Sequence, residues 1–327
     1  MHRFKSILAV LTEDSLADIA FERALHLARA NGAALTLVDV VDCAPGELVR
    51  MLTAVSGTRG TEIAEDVLTY HRARLSDYAG RARTQGVDVS EAVLQGVPFI
   101  EIIRMVLREG HDIVVKGATA DPEGRGRLKG FDMHLLRKCP CPVWMLMGAG
   151  DGEFDRVLAA VDPSRSDGAN GLDQLVLELA TSLADRESAE LHVAHAWYLQ
   201  EERALRHGRV TSDKQGDIDA MVERERAGAK SALMGLLAGF PSISDRQVHL
   251  IKGEPGDAIA EFATSHDIDL IVMGTVGRTG LAGFFMGNTA ETILRAVKCS
   301  VIALKPNGFE SPVTLNGLGN GAGHSAG

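Results

Sequence analysis

Hydrophobic residues along this chain occur in short runs that alternate with longer segments of helical periodicity. The runs VLAAV, LIVMG and VIALK are almost entirely apolar, which is typical of strands covered on both faces. Strand and helix alternate in each half, and this order predicts right-handed βαβ units around a parallel sheet. The predicted strands cover residues 6–11, 34–41, 88–95, 112–117 and 142–147 in the first half, and 157–162, 190–197, 246–253, 269–274 and 300–305 in the second. Predicted second-half helices lie near 168–185, 217–238, 256–266 and 288–298.

The pattern repeats once along the chain. FKSILAVLT, GVPFIEII, HDIVVKG and RKCPCPVWMLM return in the same order as FDRVLAAVD, GEPGDAIA, IDLIVMG and VKCSVIALK. Such self-similarity indicates a tandem duplication. We therefore predict one domain over 1–148, a second over 154–307, and a flexible tail over 308–327. Segments 42–60 and 198–216 are polar and irregular, and we predict long loops or lids there.

Composition narrows the class of protein. The chain has 327 residues, a net charge of −10 and a pI near 5.6, which argues against a large nucleic-acid footprint. No apolar run approaches ~18 residues, so we expect no membrane-spanning segment, and cytoplasmic localisation is the default. Cys139-x-Cys141 is too closely spaced for an ordinary zinc pair, and packing or a turn role is favoured over redox chemistry. His192 and His195 should face opposite sides of a strand, which opposes joint metal binding.

One stretch carries candidate chemistry: GTVGRTGLAGFFMGNTAETIL, residues 274–294. Gly274 ends the fourth strand of its half, and Asp162 ends the first. Ligands of open α/β sheets sit beyond the carboxyl ends of strands, where the strand order reverses. Glycine loops expose backbone N–H groups to anions, and a following helix adds positive charge from its N-terminus. Arg278 supplies a full positive charge. These parts together describe a nucleotide site.

A structural interpretation competes with this one. Asn288 and Glu291 fit a capping box, with Asn288 as the N-cap and Glu291 at the third helical position. The glycines could then serve only turns, and Asp162 is also an ordinary residue for a strand-to-turn junction. No GK[ST] follows the glycines, so the stretch lacks the lysine of a Walker A loop. We assign no catalytic residues and no metal ligands, because no arrangement for either can be identified in the sequence.

The spacing G-x2-G-x9-G after a strand, with the tandem layout, GTVGRTG, GNTAE and HLLRKCPCPVW, resembles the universal stress protein family over residues 4–315. The resemblance implies two Rossmann-like domains of the adenine nucleotide alpha hydrolase-like type. Each would have a five-stranded parallel sheet of order 3-2-1-4-5 with helices on both faces. It also implies a site for ATP, with Mg as its companion ion. The implied nucleotide contacts are Asp162 and Val193 for adenine and ribose, Met273, Gly274, Gly277 and Arg278 at the phosphates, and Gly287, Asn288 and Thr289 closing over them. The family pattern has Ser or Thr after the last glycine, whereas this chain has Asn288 and then Thr289.

The first half departs from this pattern. Thr12 stands where the second half has Asp162, and Ala120 stands where Gly277 would fall. Pro122 removes one N–H donor from the loop. The basic residues Arg125, Arg127 and Lys129 either attract an anion or form a solvated loop face. We therefore expect the first half to bind ATP weakly or not at all.

The sequence supports a cytoplasmic stress-response regulatory protein with an adenine nucleotide site in its second domain. The alternative is a nucleotide-independent scaffold for a protein or another small ligand, and a slow ATPase is third. In the family, paired domains pack through the last strand. The resemblance thus implies an intramolecular pseudo-dimer through 142–147 and 300–305, with further homodimerisation compatible with it.

Overall fold

The computed structural model describes residues 4–13, 16–119, 128, 130–147, 154–163, 171–207, 215–275, 286–315 and 317–318. These residues fall into two compact units. The first unit comprises the described residues up to 147 together with those from 309 onward, and the second comprises 154–275 with 286–308. No helix among the described residues is long and apolar enough to cross a membrane.

The first unit alternates strands and helices as the sequence pattern predicts. Its elements are β1 (Ser6–Val10), α1 (Ala17–Asn31), β2 (Ala34–Val41), α2 (Glu47–Ser56), α3 (Gly60–Thr84), β3 (Val89–Gln95), α4 (Pro98–Glu109), β4 (Ile113–Gly117), α5 (Gly130–Lys138) and β5 (Val143–Leu146). The strand order is β3-β2-β1-β4-β5, and the pairings are parallel. The predicted order 3-2-1-4-5 is confirmed for this half.

The second unit repeats the same plan. Its elements are β6 (Arg156–Ala160), α6 (Leu172–Glu187), β7 (Glu190–Trp197), α7 (Glu202–His207), α8 (Gln215–Leu237), β8 (Val248–Lys252), α9 (Pro255–Ser265), β9 (Leu270–Gly274), α10 (Asn288–Ala296) and β10 (Ser300–Leu304). The order β8-β7-β6-β9-β10 is again 3-2-1-4-5, with parallel pairings. The predicted Rossmann-like fold is confirmed in both halves.

Each sheet is covered by helices on both faces. In the second unit α6 contacts β6, β7 and β9 and α8 contacts β7, whereas α9 packs against α10 and against β7 and β8. Right-handed crossovers put these two helix pairs on opposite faces of the sheet. The central strands are therefore enclosed, and Ile271, Val272 and Leu158 are fully buried. This double coverage explains the continuous apolar runs in the sequence.

The prediction of loops over 42–60 and 198–216 is wrong in part. Residues 47–60 form α2, a short 3-10 turn and the first residue of α3, and α7 lies within the second segment. In α2, Leu48, Met51, Leu52 and Val55 recur at the spacing of one helical face. Only Leu48 of α2 is buried, while Met51 and Val55 remain exposed. The helical period was thus present in the sequence, but the surrounding polar residues concealed it.

The chain's last described residues pack on the first unit. They contain a short antiparallel pair, β11 (Val313–Thr314) and β12 (Gly317–Leu318). Val313 is 1% exposed, Ser311 Oγ donates to the Lys138 carbonyl at 2.8 Å, and Arg104 Nε donates to the Thr314 carbonyl at 3.3 Å. Residues 311–314 are therefore anchored between α4 and the end of α5. The flexibility predicted for the tail as a whole stays a prediction.

Candidate functional site

The candidate site lies at the carboxyl edge of the second unit's sheet. Strand β6 pairs with β7 on one side and with β9 on the other. The chain proceeds from β6 to β7 and later returns to β9 across β6, so the strand order reverses between β6 and β9. Ala160 is in register with Met273, which brings the residues after both strands to the same edge. Open α/β sheets bind their ligands at such a reversal.

The first turn of α6 brings Asp162 and Gly274 close together. The Asp162 N–H donates to Asp173 Oδ1 at 3.0 Å, and the preceding residue, Leu172, lies against Gly274. A Cβ on Gly274 would lie 2.6 Å from Leu172 Cδ2. Two consecutive helical residues therefore touch the two predicted site positions. The same contact gives Gly274 a packing reason to be glycine, independent of any ligand.

Thr275 connects three elements at this edge. Its N–H donates to the Leu304 carbonyl at 3.0 Å, and its own carbonyl accepts the Gly287 N–H at 2.9 Å. Its hydroxyl accepts a hydrogen bond from Lys305 Nζ at 2.5 Å. The ends of β9 and β10 and the start of α10 thus meet at one fully buried residue. The contacts of Thr275 fix Gly287 beside the end of β9.

Helix α10 begins at Asn288, and Gly287 is its N-cap. The prediction of a capping box with Asn288 as N-cap is therefore wrong. Glu291 instead forms an ion pair with Arg295, one turn further along α10. Gly287 has φ −64° and ψ 146°, a conformation that any residue adopts. The backbone conformation therefore does not require glycine at this position. Asn288 and Thr289 are exposed beside it, at the positive end of the helix.

The remaining predicted contacts differ in where they lie. Met273 is buried at the end of β9. Val193 is fully buried within β7, in register with Ala159 on one side and Val248 on the other, so the ladder on both sides surrounds its backbone. Gly277 and Arg278 lie outside the described residues, as do Ala120, Pro122, Arg125, Arg127 and Lys129 of the first half. The roles of all these residues stay predictions.

The first unit holds a buried ion pair at the corresponding edge. Lys116, at the end of β4, places Nζ 3.0 Å from Asp132 Oδ1, and both side chains are 0% exposed. The same carboxylate accepts the Thr119 N–H at 2.9 Å, and Lys116 Nζ also donates to Thr119 Oγ1 at 3.1 Å. The ring of Phe131 lies 5.0 Å from Nζ. A carboxylate of the chain therefore accepts the hydrogen bond of a backbone amide just beyond the strand.

A second charged cluster lies beside the end of β1 in the first unit. Arg74, on α3, donates to the carbonyls of Leu11 and Thr12 and to Asp39 Oδ2. His71 Nδ1 lies 2.5 Å from the same oxygen of Asp39. Thr12 is the first-half counterpart of Asp162, because Leu11 donates its N–H to β2 as Val161 does to β7. The chain's own guanidinium therefore covers this position in the first half.

In the second half, the carbonyl that corresponds to that of Leu11 belongs to Val161, and its partner is a histidine instead of an arginine. The Val161 carbonyl lies 3.1 Å from Nδ1 of His195, a buried residue of β7. His192 contacts Nε2 of His249 at 3.1 Å instead, so the prediction that His192 and His195 face opposite sides is confirmed. Burial lowers the pKa of both His192 and His249, and adjacent histidines lower it further. Among the described residues, no group of three His, Cys, Asp or Glu side chains could hold a metal ion.

The thiols have no features of a reactive pair. Cys139 and Cys141 are buried with their Sγ atoms 3.6 Å apart. The hydrogen bond to Cys139, followed by burial, raises the pKa of the Cys141 thiol well above its usual value. Burial raises the pKa of Cys299 to about 12. The neutral thiol is a weak nucleophile, so these contacts support the packing role over the redox role.

Sequence reasoning missed Lys305, Lys116 and Asp132. For Lys116 and Asp132, a signal was present in the repeat itself. Aligning HDIVVKG with IDLIVMG sets Lys116 opposite Met273, and aligning the starts of α5 and α10 sets Asp132 opposite Ala290. Two apolar positions of one half thus carry opposite charges in the other. Such paired replacement is expected where a lysine is buried, because its charge then needs a partner.

Comparison with known proteins gives a consistent result. The model of the Usp family, described as "Universal stress protein family", matches residues 3–146 and 153–305. Universal stress protein E of Escherichia coli (strain K12) is 27% identical over 325 residues, which cover 97% of this chain and 98% of that protein. The protein of the same name from Salmonella typhi is 28% identical over 325 residues, covering 97% and 99% of the two chains.

Solved structures agree with the fold. The crystal structure of a universal stress protein from Pseudomonas aeruginosa UCBPP-PA14 superposes with a TM-score of 0.71 at 26% identity, covering 94% of this chain and 95% of that chain. A universal stress protein from Archaeoglobus fulgidus DSM 4304 reaches a TM-score of 0.58 at 18% identity, covering 91% and 98%. The second likeness concerns the fold alone.

Proposed function

Because the chain belongs to the universal stress protein family, with one copy of the domain in each half, we propose that its second domain binds an adenine nucleotide, ATP in particular. The bound nucleotide would bias the conformation through which the protein meets its partners. The observation that carries the proposal is the convergence at Thr275. There, the end of β9 and the start of α10 are tied together beside Asp162, at the reversal of strand order.

The residues present fit such a ligand. Gly287 provides a bare backbone that its own φ and ψ do not require, and the N-terminus of the nine-residue α10 follows it. Exposed Asn288 and Thr289 offer an amide and a hydroxyl to phosphate oxygens. Asp162 would receive hydrogen bonds from the base or ribose at the other end. The predicted contacts of Gly274, Met273, Gly277 and Arg278 belong to the same proposal, and any Mg would enter with the triphosphate.

Val193 is the weakest member of the predicted set. Its side chain is closed off within the sheet, and the register places Asp162 about three residues beyond its level. A base beside Asp162 would meet β7 nearer its carboxyl end, where Ala196 and Trp197 lie. We therefore move the β7 contact from Val193 toward these two residues.

The first domain supports the proposal by contrast. In the first domain, the Asp132 carboxylate already accepts the Thr119 N–H and pairs with the Lys116 ammonium. Arg74 donates to the carbonyl of Thr12, the residue that corresponds to Asp162. A nucleotide phosphate arriving there would meet a carboxylate rather than open amides. We propose that the chain binds one nucleotide, in its second domain.

Isothermal titration calorimetry of the full chain with ATP tests the proposal. Asp162→Thr, which installs the first domain's residue, should weaken binding about tenfold to hundredfold, the value of a hydrogen bond to a charged group. Thr12→Ala, at the matching position of the first domain, should leave the affinity unchanged. Absence of ATP binding to the folded wild-type chain would refute the proposal.

A nucleotide-independent scaffold is the second candidate function. The contact of Leu172 with Gly274 favours it, because this contact explains one glycine of the motif by packing alone. If the protein is such a scaffold, Asp162→Thr should leave the affinity for ATP unchanged, and the variant should still bind its protein partners in cell extracts. Two Usp domains in one chain fit an intramolecular pair in either case, while the pairing through 142–147 and 300–305 and the localisation stay predictions.

A further inference from the structure

Three histidines of the second domain form one aromatic cluster with a phenylalanine of α9. His192 on β7 and His249 on β8 lie beside each other, with ring centroids 5.3 Å apart, and His266 directly follows α9. The ring of Phe262, on α9, lies 4.6 Å from that of His249 and 3.8 Å from that of His266. His192 and Phe262 are buried. The cluster therefore lies where α9 closes over β8, the last strand on this side of the sheet.

The imidazoles of His192 and His249 share one hydrogen bond. Nδ1 of His192 lies 3.1 Å from Nε2 of His249. Such a bond needs one ring nitrogen with a proton and one without, whereas an imidazolium carries a proton on both of its nitrogens. At most one of the two rings can therefore be charged while the bond exists. When both rings are charged, two N–H groups face each other and two positive charges repel in a partly buried place.

The charged groups around the pair act on both rings. Burial lowers the pKa of His192, and the Glu190 carboxylate, 3.7 Å from its Nε2, raises it. His266 and Arg156 lower the same pKa further. Burial, His192 and His266 lower the pKa of His249, and Glu190 raises it. A charge on one ring of the pair thus opposes a charge on the other. Further charged residues on the neighbouring elements are exposed to solvent: Asp245 and Arg246 before β8, Asp257 and Glu261 on α9, and Asp267 after it.

The first half joins the corresponding strands without histidine. The repeat places Thr36 opposite His192, Ala92 opposite His249 and Glu109 opposite His266. In that half, Thr36 Oγ1 on β2 and Ser90 Oγ on β3 form a hydrogen bond of 3.0 Å. Hydroxyl groups do not change their charge near neutral pH, whereas imidazole does. The same outer pair of strands is therefore linked by a titratable bond in one domain and by a non-titratable bond in the other.

We propose that the hydrogen bond between His192 and His249 is a proton-operated latch of the second domain, which holds β8 and α9 in place while at most one imidazole is charged and opens when both are. Opening frees the outer strand and exposes Phe262, while the first domain stays closed. The latch responds as the pH falls below about 6.5, the ordinary range of imidazole titration. This inference does not depend on the proposed nucleotide site.

Hydrogen–deuterium exchange of the full chain at pH 7.5 and pH 5.5, corrected for the intrinsic pH dependence of exchange, tests the latch. Opening returns one imidazole to its ordinary pKa of about 6.5, whereas the closed form excludes that proton. The opening equilibrium should therefore rise about tenfold over this range. Protection of residues 248–265, which cover β8 and α9, should fall by that factor. Protection of β3, the corresponding outer strand of the first domain, should change by less than about twofold.

Two variants of His249 separate the latch from its fold. His249→Gln places an amide where Nε2 lies, which keeps a partner for His192 without the second titrating group. His249→Ala installs the residue of the first half. Both variants should lose the pH-dependent change over 248–265, whereas His26→Gln, at an exposed histidine of α1, should behave as wild type. Circular dichroism at pH 7.5 checks that each variant is folded, and if His249→Gln is not, His249→Ala decides.

Three outcomes would overturn the proposal. One is protection of 248–265 that does not change between the two pH values in the wild type. Another is a change of equal size in wild type and in the folded His249 variant, because the bond would then not be the titrating element. The third is a parallel loss of protection in β3, which would show a general acid destabilisation of the chain.

Discussion

The buried pair of Lys116 and Asp132 offers a sharp test of how the first domain differs from the second. Removing one member leaves the other charged and fully buried, because both side chains are 0% exposed. Breaking such a pair costs about 3–5 kcal/mol. We expect Asp132→Ala and Lys116→Met each to lower the free energy of unfolding of the first domain by that amount.

The double variant Lys116→Met/Asp132→Ala has a different expected outcome. It installs the residues that the second half carries at these positions, Met273 and Ala290, both of which are buried there. Replacing a buried ion pair by apolar residues is neutral or stabilises by about 1–4 kcal/mol. The Thr119 N–H then loses its acceptor, which costs about 1–3 kcal/mol. The double variant should thus stay within about 3 kcal/mol of wild type, and the sum of the two single losses should exceed its loss by at least about 3 kcal/mol.

The assay uses the chain's two tryptophans. Trp144 is buried in β5 of the first unit and Trp197 ends β7 of the second, so a Trp197→Phe background makes fluorescence report the first domain alone. Urea unfolding of the wild type, both single variants and the double variant in this background gives the cycle. Losses below about 1 kcal/mol for both single variants, or a double variant as unstable as their sum, would refute the reasoning.

Three further predictions concern other parts of the chain. Val313→Ala should lower the free energy of unfolding of the first domain by about 1.5–3 kcal/mol, the value of burying a valine. The control Leu315→Ala, at an exposed residue, should change it by less than about 0.5 kcal/mol in the same urea assay. Equal effects of the two variants would show that residues 311–314 are not anchored. In thiol labelling at pH 8, half-buried Cys43 should react first, and buried Cys141 only after denaturant is added; rapid labelling of Cys141 in the folded chain would contradict its raised pKa. The pKa of His249 is lowered by burial and by neighbouring histidines, so its unfolded form gains a proton first as the pH falls through about 6.5. The free energy of unfolding should therefore drop from pH 7.5 to pH 5.5, less steeply in His249→Ala; an unchanged slope would contradict this.

Most of the fold followed from the sequence because its signals are local and repeated. Runs such as LIVMG are buried on both faces, and their order with the helices fixes the parallel sheet. Segments where few residues are buried gave weaker signals. Helix α2 was missed because polar residues surround the helical spacing of its apolar residues, of which only Leu48 is buried. The capping box was wrong because Gly287, rather than Asn288, precedes the first helical residue.

The candidate site was predictable in position but not in chemistry. Strand order places Asp162 and Gly274 at one edge, and the structure brings them against consecutive residues of α6. The roles of Lys305 and Asp132 depend on contacts between distant elements. Lys305 follows an apolar strand, and Asp132 lies in the first turn of a helix. Charged residues at such positions are usually exposed, so the sequence around each residue does not indicate that it is buried. Only the three-dimensional packing shows that both are buried beside a fourth strand.

Two separate contacts distinguish the first domain from the second, and their relative weight can be measured. At the end of β4, Asp132 accepts the Thr119 N–H and pairs with the Lys116 ammonium. At the end of β1, Arg74 donates hydrogen bonds to the backbone carbonyls. Strands β1 and β4 are neighbours, so a nucleotide spanning this edge would meet both. Removing the ion pair alone, as in Lys116→Met/Asp132→Ala, leaves Arg74 held by Asp39. We therefore expect that double variant still to bind one ATP per chain by calorimetry. A stoichiometry of two would show that Asp132 alone excludes the nucleotide from the first domain, and that Arg74 moves aside when a ligand arrives.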